Sequence, residues 1–155
     1  MNTEKKKARY QRIYKQIEEL IQKTNDPFAR MSTIATVLNH KFDYYFWTGF
    51  YRLVNDELIM CCYQGSIACL ILEKNKAVCW EVINQKKTIL IPDVNQFPGH
   101  IACDNRSKSE IVVPVKDTYG NIIAVLDVDS KELNSFDEND AENLEKIVAL
   151  IYQKF

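Results

Sequence analysis

The sequence predicts an α+β domain in which an antiparallel sheet is covered by helices on one face. Three observations predict it: apolar residues recur at helical spacing at both ends of the chain, the middle is rich in β-branched and aromatic residues, and the clearest strand pairs are joined by short turns.

Each element follows in order. Ala8, Tyr10, Ile13, Tyr14, Ile17, Leu20 and Ile21 form one apolar helical face between Lys and Glu residues, and the helix stops near Thr24 and Asn25. Asp26-Pro27 supplies an N-cap side chain and a first-turn proline for a second helix, whose apolar face is Phe28, Met31, Ile34, Ala35 and Leu38 and whose end is near Asn39 and His40. From Tyr44 to Val54 the composition turns aromatic and β-branched, and Asn55-Asp56 makes a short turn into Glu57 to Tyr63. Gln64-Gly65 opens a stretch with one short strand, Ile67 to Leu72, and a short helix from about Ala77 to Asn84. Thr88 to Ile91 reads as a strand ended by Pro92. Asp93 to Ser109 is polar and too long for a tight turn, and connections of that length usually carry function or are disordered. Ile111 to Val115 and Ile122 to Val128 flank the turn Asp117-Thr118-Tyr119-Gly120-Asn121 and form an antiparallel hairpin. A last helix begins after Asp137 and presents Leu144, Ile147, Val148 and Ile151.

The 155 residues fit one domain, taken as 1–155, and 46% hydrophobic with 26% charged residues is globular composition. Lys plus Arg (20) nearly balances Asp plus Glu (21), so a net charge of -1 offers no field for nucleic acid or anionic lipid. Lys5, Lys6, Lys7, Arg9 and Arg12 read as a solvated helix face or frayed terminus rather than an RNA or lipid contact. No apolar run is long enough to cross a bilayer, and the start lacks the apolar stretch of a signal peptide, which makes the cytoplasm the expected location. The chain shows no internal repeat and no low-complexity segment.

Five cysteines is an odd number for a secreted disulfide scaffold, so the choice is between reactivity and burial. Cys61 and Cys62 sit within a strand pattern, where one of two neighbours faces inward, and read as structural. Cys69, Cys79 and Cys103 stand apart. Cys103 lies in the long loop Phe97-Pro98-Gly99-His100-Ile101-Ala102-Cys103-Asp104, where a thiol can be accessible and His100 is close in sequence. His100 is either an ordinary hydrogen-bonded loop residue or a direct participant. Asp127-Val128-Asp129 puts two carboxylates on one face of a strand and leaves Leu126 and Val128 on the other. Such a pair is either a solvated strand end or a site where a cation, a metal or a shared proton compensates the repulsion. No CxxC pair, HExxH, glycine-rich phosphate loop or GxSxG elbow is present, so neither metal nor cofactor is expected.

Taken together, Trp47-Thr48-Gly49-Phe50-Tyr51, Gln64-Gly65 with Ala68-Cys69, Val78-Cys79, the loop from Phe97 to Asp104, Ser109 to Pro114 and Val125 to Ser130 resemble the free methionine-R-sulfoxide reductases, built on the GAF domain. The resemblance runs from about Phe46 to Phe136. It implies a GAF-like antiparallel sheet with N- and C-terminal helices packed on one face, often dimeric through the terminal helices. It also implies reduction of the R-epimer of free methionine sulfoxide, with thioredoxin as the recharging partner. Position by position, Cys103 is then the attacking thiol, Cys69 the resolving thiol, and Cys79 a further relay or alternative partner. Trp47 and Tyr51 would line the methyl end of the substrate, and Glu110, Asp127 and Asp129 its polar end. One departure concerns Asn75-Lys76-Ala77-Val78-Cys79-Trp80, where the family has a glycine-rich run; three glycines are absent. The competing readings are a non-catalytic GAF module that binds a small ligand, and a redox sensor switched by Cys69 and Cys103.

Overall fold

The computed structural model describes residues 1–99 and 105–155. Helix α1 (Thr3–Ile21) starts at Asn2, whose side chain accepts from the Lys5 amide at 2.9 Å. Helix α2 (Pro27–Lys41) starts at Asp26, which accepts from the Phe28 amide at 2.8 Å and the Ala29 amide at 3.2 Å. Strands β1 (Trp47–Val54) and β2 (Glu57–Gln64) form a hairpin whose turn residues, Asn55 and Asp56, both take positive φ. The chain continues through β3 (Ile71–Leu72), α3 (Val78–Gln85), β4 (Ile89–Ile91), a single 3-10 turn at Val94–Gln96, β5 (Ser109–Lys116), β6 (Ile122–Ser130) and α4 (Glu138–Val148). Helix α4 opens with a reciprocal cap in which Asp137 accepts from the Asp140 amide while Asp140 accepts from the Asp137 amide.

All six strands form one antiparallel sheet in the order β3-β2-β1-β6-β5-β4. Strand alternation sorts residues into two apolar clusters. On one face Phe50, Ile111, Val113, Val115, Ala124, Leu126 and Val128 pack against α1, α2 and α4. On the other, Trp47, Tyr51, Leu58, Val112 and Val125 meet Val78, Cys79, Trp80 and Val82 of α3. The expected α+β class, with the first and last helices together on one face, is the observed architecture. Among the described residues no helix is long and apolar enough to cross a membrane.

Three local readings change. The strand read over Ile67 to Leu72 is only two residues long, Ile71–Leu72. The carbonyls before it are taken by side chains from β1: Trp47 Nε1 donates to Ser66 and the Tyr51 hydroxyl to Cys69, at 3.0 and 3.3 Å. Phe28, expected on the core face of α2, is largely exposed, with the Arg52 guanidinium 4.5 Å from its ring centre. Arg30 is buried instead. Its guanidinium donates to the carbonyls of Ile21, Thr24, Leu150, Ile151 and Gln153 at 2.7–3.3 Å, which ties the end of α1 to the segment after α4. Lys6 is not a solvated lysine: it is buried and pairs with Asp140 at 2.8 Å and Asp137 at 3.2 Å.

Cys61 and Cys62 depart from simple alternation. The β1–β2 register shifts between Phe50, opposite Cys62, and Tyr51, opposite Met60, so Cys61 is the extra residue of a bulge. Both cysteines therefore lie half-buried against the helix-side cluster. A hydrogen bond from Cys62 and the nearby Arg52 lower the Cys61 thiol to about 7 despite partial burial.

Candidate active site

The pairing of β1, β6 and β5 assembles the site on the face that α3 covers. Trp47 lies opposite Asp129, Gly49 opposite Asp127 and Tyr51 opposite Val125. On the other side of β6, Glu110 lies opposite Asp129 and Val112 opposite Asp127. Every residue proposed from the sequence for substrate contact thus shares one face: Trp47 and Tyr51 from β1, Glu110 from β5, Asp127 and Asp129 from β6. The alternation read at Asp127-Val128-Asp129 holds, with Leu126 and Val128 in the opposite core.

The aromatic wall is fixed from below by a glycine. A Cβ on Gly49 would stand 2.5 Å from Trp47 Cη2 and 2.7 Å from Tyr63 Cβ, so only glycine lets the indole lie flat across the strand. Trp47 stacks with Tyr63 at 5.5 Å and with Tyr51 at 6.1 Å between ring centres.

The acids are not a solvated strand end. Glu110 and Asp127 are 5% and 7% exposed, and Glu110 Oε1 and Asp127 Oδ1 have no hydrogen-bond partner among the described residues. Unpartnered buried carboxylate oxygens are costly, which is the mark of a surface built to receive a ligand. Burial, followed by the charges of Asp127 and Asp129 and hydrogen bonds with both, holds Glu110 well above the usual carboxylate range. Burial also raises Asp127, and hydrogen bonds from Glu110 and Cys79 offset only part of that rise. Glu110 therefore favours its protonated form beside Asp127.

Cys79, in the first turn of α3, is fully enclosed and free. Burial first, then the charges of Asp127, Glu110 and Asp129, push its thiol far up, and it hydrogen-bonds Asp127. A protonated, enclosed thiol is a weak nucleophile but a usable donor. The lost glycines before it are offset in part, because Asn75 takes positive φ and its side chain accepts from Asn84 Nδ2 at 3.2 Å. Cys79, Glu110 and Asp127 each offer a ligand atom within 4.8 Å of the others, a grouping three elements create and no linear spacing announces. They could hold a metal ion as well as a proton.

Cys69 is half-buried and disulfide-bonded, and its carbonyl takes the Tyr51 hydroxyl, so the Cys69 backbone stands beside the aromatic wall. Cys103 and His100 lie outside the described residues. Phe46, next to the wall, was not singled out by the sequence. Its ring lies 4.8 Å from the Arg106 guanidinium and 4.6 Å from Lys131 Nζ, which brings two cations to the rim near Asp129. Those cations come from separate loops, so only folding reveals them.

Comparison with known proteins places this geometry. A GAF domain family model matches residues 29–153. The chain is 44% identical to GAF domain-containing protein A of Dictyostelium discoideum, over 94% of this chain and 92% of that protein. It is 36% identical to the free methionine-R-sulfoxide reductase of Escherichia coli, over 78% of this chain and 73% of that protein. The structure of free methionine-R-sulfoxide reductase from Neisseria meningitidis in complex with its substrate superposes with a TM-score of 0.90 at 37% identity, covering 97% of this chain and 90% of that one.

Proposed function

The chain belongs to the free methionine-R-sulfoxide reductase family of GAF domains, and from that premise we propose that it reduces free L-methionine-R-sulfoxide to methionine by thiol chemistry. The observation that carries the proposal is the buried acid cluster of Glu110 and Asp127 on the same face as Trp47, Tyr51 and the disulfide-bonded Cys69.

Trp47 and Tyr51 offer an apolar wall for the methyl and side-chain carbons. The Asp127 and Asp129 carboxyls receive the substrate's ammonium, which a peptide-bound residue lacks, and that difference separates free from peptide-bound sulfoxide. Arg106 and Lys131 at the rim suit its carboxylate. The Cys103 thiolate attacks the sulfoxide sulfur as Glu110 gives its proton to the oxygen. The protonated oxygen passes from the sulfoxide sulfur to the Cys103 sulfur, so the sulfoxide S–O bond breaks, methionine leaves as the thioether and Cys103 is left as a sulfenic acid. The Cys69 thiol condenses with it, releasing water and forming a disulfide. Cys79 hydrogen-bonds Asp127 beside protonated Glu110 and partly offsets the rise that burial imposes on that carboxyl. Thioredoxin, in the cytoplasm, then returns the disulfide to two thiols.

One assay tests this reading: the R and S epimers of methionine sulfoxide, free and peptide-bound, are offered with dithiothreitol after dialysis against EDTA. Turnover is expected for the free R-epimer alone, and a Cys103→Ser variant is expected to lose it by at least a thousandfold. Retained turnover in the variant removes Cys103 from the attacking role, and loss on dialysis points to a metal at Cys79, Glu110 and Asp127.

A further inference from the structure

Ile67, Leu70 and Ile71 are 85%, 76% and 53% exposed, three bulky aliphatic side chains within five residues. Single exposed apolar residues are ordinary, whereas a contiguous group marks a contact surface. Here they flank Cys69, which is disulfide-bonded, while their neighbours Ala68 and Leu72 pack inward on the cluster beneath α3. The backbone adds a second feature. Strand β3 is the end strand of the sheet, pairing through Leu72 with Leu58 and through Ile71 with Ile59; Trp80 Nε1 donates to the Leu72 carbonyl at 3.2 Å, and no further strand pairs with β3 among the described residues. Nearby charges are paired off, Lys74 with Asp56 and Lys76 with Glu73, which leaves the strip apolar rather than ionic.

We propose that Ile67, Leu70 and Ile71 form the docking surface for a protein dithiol reductant, which lies along the β3 edge and attacks at Cys69. The inference rests on the reductase reading and names where its reductant binds. A thiolate of the reductant attacks the Cys69 sulfur, the existing S–S bond breaks, and its other sulfur leaves as a thiolate. The reductant's second thiol then breaks the mixed disulfide, so Cys69 is released as a thiol and the reductant departs oxidised. A small charged thiol gains nothing from aliphatic side chains on both sides of the bond. A protein whose reactive cysteine is rimmed by apolar residues buries them.

The test uses the full chain and an Ile67→Ser, Leu70→Ser double variant, both positions being exposed enough to leave the fold intact. Turnover of free methionine-R-sulfoxide is driven by thioredoxin with its reductase, and separately by dithiothreitol. The expected result is a KM for thioredoxin raised at least fivefold, with dithiothreitol-driven turnover unchanged. An unchanged KM for thioredoxin overturns the proposal. So does an equal loss with dithiothreitol, which would make the strip part of the substrate pocket, or a shift from dimer to monomer in sedimentation, which would make it a contact between copies. If the unaltered chain fails to turn over the sulfoxide even with dithiothreitol, the reductase reading falls. The docking surface is then judged alone by the rate at which thioredoxin reduces the oxidised chain, expected to be at least fivefold slower in the variant and overturned by equal rates.

Discussion

At Glu110 the folded chain holds a proton that the unfolded chain has already given up. Burial and the neighbouring aspartates raise this carboxyl, and Asp127 is raised with it. The native state therefore binds more protons than the unfolded state over the interval from the ordinary glutamate range, about 4.3, up to the raised value. Stability is fully present below that interval and is lost as pH rises through it. Melting temperature against pH is expected to fall across this interval for the unaltered chain, and Glu110→Gln is expected to flatten the slope. An identical slope in the variant would place the proton elsewhere. The acid pair itself was legible in the sequence, since alternation alone put Asp127 and Asp129 on one face. Its burial was not, because that depends on α3 closing over the sheet and on Glu110 arriving from β5.

Strand β1 shows how one element carries both shape and chemistry. Trp47, Gly49 and Tyr51 lie on the face that α3 covers while Phe50 points into the helix-side core. Gly49 is the floor on which the Trp47 ring rests, with no room for a methyl group. Gly49→Ala is expected to tilt the indole, cost about 1–3 kcal/mol as an overpacked site, and raise the KM for the sulfoxide about tenfold with a smaller change in kcat. Steady-state kinetics and a urea melt on the same preparation would check this. An unaltered KM would remove Trp47 from the substrate wall. The hairpin turns and helix caps of neighbouring elements could be read directly, because Asn55-Asp56 and Asp26-Pro27 are local signals. The two-residue β3 could not be: its sequence is apolar throughout, and it is tertiary hydrogen bonds from Trp47 and Tyr51 that take the carbonyls a longer strand would have used.

Across the whole molecule, Arg30 joins parts of the chain far apart in sequence by donating to five carbonyls at the end of α1 and after α4. A periodicity reading assigns such a residue to solvent, since nothing within α2 announces acceptors from Leu150, Ile151 and Gln153. Replacing it with methionine keeps the volume but strands those carbonyls, and is expected to lower stability by about 3 kcal/mol or more. The urea midpoint reads the loss; a midpoint within error of the unaltered chain would make the network dispensable. Because Arg30 belongs to the helix side, catalytic constants measured below the transition are expected to stay as they were.

The two-faced sheet acts as a partition wall between upkeep and trade. Leu126 and Asp127 are chain neighbours, yet one belongs to the insulation and the other to the workshop. Selection or design can thus thicken the insulation without touching the tools, provided changes stay on alternate positions of the same strand.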